Sequence, residues 1–153
     1  MNRWPSARAW VAAILGGIAG CGVAESPVVP VTYWEATLSG ANVIPPVTTT
    51  ASGSATLRLN GTALDFTISV SNLVSADSAR VYIGNVGQTG PVAVNLCGPC
   101  TPVGGVLATG TATTVPGVSL NQLLTAMRAF GAYLQVRDAS GPVLRGQLRN
   151  TAP

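Results

Sequence analysis

Two cysteines spaced by two residues, in "NLCGPCTP" (95–102), are the groups in this chain best placed to do chemistry. A Cys-X-X-Cys pair can cycle between dithiol and disulfide when its first thiolate is stabilised at a helix N-terminus. The residues after Cys100 should then begin an amphipathic helix. They read "TPVGGVLATGTATTVPG", and Gly104-Gly105 followed by a β-branched, glycine-broken run disfavours one. The βαβ context expected of a redox fold is also missing. A structural bridge between Cys97 and Cys100 fits better, closing a short loop and contributing roughly 2 kcal/mol. The alternative is a thiol–disulfide oxidoreductase using the same pair. A zinc site would need more ligands than two cysteines, and the chain has no histidine.

The absence of histidine removes imidazole from every role as base, acid or metal ligand. No nucleophile–base pairing stands out among the remaining residues, so the expectation is a non-enzyme with no cofactor, no metal and no catalytic residue. The chain is 153 residues long and 47% apolar, with only 8% charged residues. That length supports one domain with a core, and the charge is low for a soluble domain. The net charge of +3 is partly a property of the N-terminus, since Arg3 and Arg8 are two of the eight basic residues. The other six arginines face five acids, a balance too weak and scattered for a nucleic-acid surface.

The N-terminus reads as an address. Arg3 and Arg8 precede the apolar stretch Ala9–Ala19, which as a helix would span roughly 16 Å, about half a bilayer core. That is the length of a signal-peptide core and not of a membrane span. Ile18-Ala19-Gly20-Cys21 resembles the bacterial lipoprotein signal. The resemblance implies cleavage before Cys21 and lipid on its thiol and new amine, which anchors the chain stably in a membrane. Gly22 follows Cys21, and by the same resemblance this points to the outer membrane. An ordinary signal peptide with an incidental cysteine is the alternative. With Cys21 lipidated, Cys97 and Cys100 remain as an even pair in an oxidising compartment. The expected organisation is a leader over 1–20, a lipidated tether over 21–32 and one domain over 33–150.

Within the domain, period-two alternation dominates. "YWEATL" (33–38), "SATLRL" (54–59) and "ALDFTISV" (63–70) each separate an apolar from a polar face, and Asn60-Gly61 between the last two is a hairpin signal. "ARVYIG" (79–84), "PVAVNL" (91–96), "GVLATGTAT" (105–113), "AYLQVR" (132–137) and "VLRGQLR" (143–149) are further strand candidates. One segment changes period. "SLNQLLTAMRAFG" (119–131) places Leu120, Leu123, Leu124, Met127 and Phe130 on one helical face, with Ser119 and Gln122 as a capping box and Gly131 as the stop. The pattern predicts an all-β domain with one short helix: an antiparallel, Greek-key-like β-sandwich of about seven to eight strands.

These motifs resemble the chordin-type (CHRD) domain. "ATLSGANVIPPVTTTASGSATLRLN" is similar to its opening, with Leu-Ser-Gly, a Pro-Pro pair and a glycine before an alternating strand. "GPVAVNL", "AYLQVR" and the closing "GPVLRGQL" follow in the family's order, from Tyr33 to Leu148. The resemblance implies an extracytoplasmic β-sandwich like that of copper/zinc superoxide dismutase, acting as a binding or structural module.

It also exposes a departure. Where the family has Ala-His-Ile-His-Gly, this chain has Ala79-Arg80-Val81-Tyr82 followed by Ile83-Gly84. Where the family's penultimate strand ends near Val-His, it has Val136-Arg137. Arg80, Tyr82 and Arg137 thus replace three histidines. Arginine cannot ligate a metal as histidine does. The three residues form a candidate binding patch for an anion or a partner, against the plainer reading of half-exposed strand residues with no ligand. Arg145, in Arg-Gly-Gln-Leu, is expected to be structural, paired with a carboxylate or backbone carbonyls. The overall expectation is a lipid-anchored envelope module whose partner, protein or glycan, is open.

Overall fold

The computed structural model describes residues 32–151. The leader, Cys21 and most of the tether lie outside the described residues. Nine strands and one α-helix follow in chain order: β1 (Tyr33–Ser39), β2 (Ser52–Asn60), β3 (Ala63–Ser71), β4 (Ser78–Ile83), β5 (Val92–Cys97), β6 (Val106–Ala112), α1 (Leu120–Arg128), β7 (Ala132–Asp138), β8 (Gly141–Gln147) and β9 (Arg149–Asn150). They form one antiparallel sheet in the order β5-β4-β7-β8-β1-β2-β3-β6, with β9 paired to β1.

The sheet curls until its outer strands nearly meet. β5 and the segment after β6 touch through one bridge, Val94 to Thr114, and the Val115 N–H donates to the Ala93 carbonyl at 2.9 Å. At the opposite side the two halves join thinly, because β8 pairs with β1 only at Arg145 and Ser39 while β9 takes Trp34 and Glu35. The all-β expectation holds, as a sandwich-like barrel made from a single sheet.

Alternation explains which face of each strand is buried. In β3, Leu64, Phe66, Ile68 and Val70 point inward while Thr67 and Ser71 face out. Trp34, Leu38 and Leu57 meet Val81, Leu134, Val136 and Leu144 from the other half in one core. Each such side chain contributes about 1.5–3 kcal/mol through burial. Helix α1 adds Leu123, Leu124 and Met127 to the same core. Its Ser119 side chain accepts from the Gln122 N–H while the Gln122 side chain accepts from the Ser119 N–H, the expected capping box.

The Asn60-Gly61 hairpin forms as expected, and three backbone details shape the turns and β6. The β2–β3 turn is Gly61-Thr62, with Asn60 still paired to Ala63. Gly61 alone takes a positive φ, 60°, which is the type II′ arrangement and not the Asn-Gly type I′ turn. The left-handed position that ends the helix falls one residue before the expected glycine. Phe130 adopts φ 55°, and the Gly131 N–H reaches back to the Ala126 carbonyl at 2.7 Å, a Schellman ending with phenylalanine where glycine is usual. β6 is irregular near Leu107, where the β3–β6 register shifts between Ile68 and Ser69 and Leu107 is buried.

Candidate functional site

The outer face of β4, β7 and β8 carries the residues singled out from the sequence. Val81 points into the core, so Arg80 and Tyr82 point outward. Register places Tyr133 beside Tyr82, Gln135 beside Arg80 and Arg137 beside Ser78. Arg80 and Arg137 are therefore diagonal neighbours, about 7–8 Å apart at the backbone, and Tyr82 sits next along β4. All three are half-buried and share one face.

Beneath them lies a stack. The Tyr82 and Tyr133 rings are parallel within 4°, with centroids 5.1 Å apart. The Arg145 guanidinium covers Tyr133 with its Cζ 3.6 Å from the ring centroid. A desolvated cation on an aromatic face is worth about 2 kcal/mol. Arg145 is buried because the segment 84–90, "GNVGQTG", folds back as a strap over it. Its Nη2 donates to the carbonyl oxygens of Asn85 and Gln88. The Gln147 side chain donates to the Gly84 carbonyl at 2.9 Å and to the Phe130 carbonyl. The Tyr133 hydroxyl accepts from the Gly90 N–H at 3.3 Å.

Arg145 thus pairs with backbone carbonyls and not with a carboxylate. Burial pushes its guanidinium below the ordinary value, and the Tyr133 hydroxyl acts in the opposite sense. Its Nη1 is buried with no hydrogen-bond partner among the described residues.

The glycines around the strap have steric reasons to be glycine. A Cβ on Gly90 would stand 1.7 Å from the Ile83 carbonyl oxygen, and one on Gly146 would stand 2.3 Å from that of Thr37. Arg-Gly-Gln-Leu is accordingly a packing motif: Arg145 braces the strap, Gly146 lets β8 pass β1, Gln147 ties two loops, and Leu148 fills the core.

Tyr133, Gln135, Arg145 and Gln147 are the members of this face not selected from sequence as site residues. Their signal was present as a period-two continuation of the patch, Tyr133-Gln135-Arg137. It was masked because "GNVGQTG" reads locally as a turn and not as a cover.

The two cysteines lie at the far end of β5. Cys97 and Cys100 are joined by a disulfide with Cα atoms 5.9 Å apart. Cys100 is buried and exchanges two backbone hydrogen bonds with Ala76, at 2.8 and 2.9 Å. The chain then runs into β6 with no helix to stabilise a thiolate. That placement does not favour the oxidoreductase alternative. Among the described residues no group of three or more His, Cys, Asp or Glu side chains could hold a metal ion.

Against known families, residues 34–149 match the CHRD domain. The chain belongs to the CHRD family. No curated protein and no solved structure matches it. The CHRD match spans the whole barrel from Trp34 in β1 to Arg149 in β9. Both the arginine–tyrosine face and its strap therefore lie inside the CHRD domain, which suggests an extracellular binding or structural module.

Proposed function

We propose that this CHRD protein is a lipid-anchored binding module of the cell envelope, held to the outer membrane through Cys21 and without catalytic activity of its own. The observation that carries the binding reading is the braced patch. Arg80, Tyr82 and Arg137 stand half-exposed on one face, and the Tyr82–Tyr133–Arg145 stack under the 84–90 strap fixes the tyrosine at its centre. A face already ordered before binding loses less entropy on contact. Two guanidiniums beside a tyrosine suit a carboxylate-bearing segment of a protein partner, through charge-assisted hydrogen bonds. The Ile18-Ala19-Gly20-Cys21 motif supports the anchor.

A photo-reactive amino acid in place of Tyr82, in cells, should trap an envelope protein. Adding Arg80→Ala and Arg137→Ala should abolish the adduct while the protein stays folded. An adduct undiminished by those changes would remove the patch from the function. Labelling cells with an alkyne fatty acid should mark the chain, and Cys21→Ser should erase the label; a labelled Cys21→Ser variant would refute the anchor. Turnover by the purified chain on a hydrolase and redox substrate panel would refute the non-catalytic reading.

A further inference from the structure

The barrel has two unlike ends. At one end β1 begins, β9 ends, and three connections gather: the β2–β3 turn, the β4–β5 connection with its 84–90 strap, and the 113–131 segment that carries α1. Backbone pairing joins them. Ile83, the last residue of β4, lies beside Ala132, the first of β7, and the Gly84 N–H donates to the Gly131 carbonyl at 2.8 Å. Helix α1 packs against β9. The Leu59 N–H, at the close of β2, donates to the Thr32 carbonyl at 3.3 Å. The chain therefore enters the barrel, at Thr32, on the end that carries α1.

Two large apolar side chains stand out of this end. Phe130 is 53% exposed and Val86 is 74% exposed. Their segments meet, because the Gln147 side chain donates to both the Gly84 and the Phe130 carbonyls. Phe130 also holds φ 55°, a left-handed conformation that is unusual for a bulky residue and that glycine takes without strain. An exposed aromatic held in such a conformation points to a role outside the core. Arg128, exposed in the last turn of α1, stands two residues before it.

The opposite end also exposes valines, Val74 at 88% and Val103 at 77%. Charge separates the two ends. The β2–β3 turn, the strap and the 113–131 segment contain no acid and one base, Arg128. The opposite end carries Asp77 before β4 and Asp138 at the end of β7, and its loops contain no base. An anionic lipid surface attracts the first end and repels the second. Glu35 and Asp65 lie on strands near the first end, but Arg149 and Arg58 stand directly across the ladder from them. The segment from Cys21 to Thr32 extends at most about 40 Å, so lipid on Cys21 keeps the α1 end within reach of a bilayer surface.

We infer that the α1 end of the barrel docks on the anionic surface of the membrane that holds the anchor, with Phe130 and Val86 among the headgroups and Arg128 against lipid phosphate. This rests on the lipid anchor proposed at Cys21. Docking in this sense orients the arginine–tyrosine face. Arg137 lies five residues along β7 from Ala132, about 17 Å further from the bilayer, and is thus held clear of the headgroups.

The test uses the full chain, purified with its lipid, in vesicles of phosphatidylethanolamine and phosphatidylglycerol. The vesicles are made with and without a spin-labelled lipid that quenches tryptophan. Intact mass first reads whether Cys21 carries lipid. Phe130→Trp and, separately, Val86→Trp should each lose about half of their added emission to the spin label. Val74→Trp, at the opposite end, should lose none. The unsubstituted chain, in which Trp34 is buried, sets the background, and melting temperatures check that each variant is folded. Adding Arg128→Glu to Phe130→Trp should weaken the quenching at least about twofold.

In a lipidated chain, equal quenching at positions 130 and 74, or none at 130 and 86, would overturn the docking and leave the anchor standing. A blue-shifted Phe130→Trp emission without quenching would show that protein covers this end, and would overturn it too. A chain without lipid on Cys21 would overturn the anchor and the docking together.

Discussion

The two outer faces of this barrel solve opposite problems with the same strand geometry. On the β4–β7–β8 side the outward residues are large and include three arginines, and a strap closes over Tyr133 and Arg145. Gln135 and Arg145 are only 8% and 2% exposed although they point away from the core. On the β1–β2–β3–β6 side the outward residues are mostly small and polar, and nothing among the described residues covers them. Thr56 and Thr67 are exposed. The first side behaves as a three-layer structure of core, sheet and strap. The second is an ordinary half-wet sheet. The difference teaches that burial on this sheet follows from a neighbouring loop as much as from the strand's own pattern.

The sharpest way to break that comparison is steric. Gly90→Ala drives a Cβ into the Ile83 carbonyl, and we expect a loss of about 3 kcal/mol. Thr67→Val on the open face should change stability by less than about 0.5 kcal/mol. Chemical denaturation of the two variants checks both. Equal losses would mean that the strap is not a structural layer.

A smaller contrast lies within the braced face itself. Arg145→Leu removes the stack on Tyr133 and the tie to Asn85 and Gln88, at a cost of about 2 kcal/mol. Arg80→Ala, on the same face but above the stack, should cost less than about 0.5 kcal/mol. Hydrogen exchange should speed up at Gly84 and Gly90 in the Arg145→Leu chain only.

The smallest effect is that of pH. The Thr111 hydroxyl, the Asn60 amide and the more distant Arg58 charge hold the Asp65 carboxyl below its ordinary value. Asp138 is lowered by the Ser140 hydroxyl and by backbone N–H groups of its turn. Both groups bind protons less readily when folded. They therefore stabilise the fold above their unfolded value and lose that contribution as pH falls through their lower folded values. With no histidine in the chain, the melting temperature should stay level from about pH 5 to 8 and fall below about pH 4. Asp138→Asn should flatten part of that acid limb. A transition near pH 6 would contradict this assignment.

Much of this was legible because alternation is local. "ALDFTISV" names its own buried face, and Ser119 with Gln122 names the start of α1. Arg80, Tyr82 and Arg137 were picked out by the family resemblance, where they stand in place of three histidines, and the β4–β7 register puts them on one face. The strap was not legible, because the burial of Tyr133 and Arg145 depends on a segment some fifty residues away in sequence. The Phe130 ending was hidden by a glycine one position later that offered the commoner solution. β9 went unseen because two residues that pair only with β1 have no period to show.

The described chain enters and leaves the barrel at one point. Thr32 leads into β1, and the Thr151 N–H donates to the Tyr33 carbonyl at 3.0 Å. β1 is an interior strand, paired along its whole length with β2 and flanked by β9. A pull on Thr32 along the strand axis, as a tether would deliver, loads the β1–β2 hydrogen bonds together in shear. They do not open one after another as in a zipper. A tether leading into Thr32 would thus spread drag on the domain over seven paired residues at once.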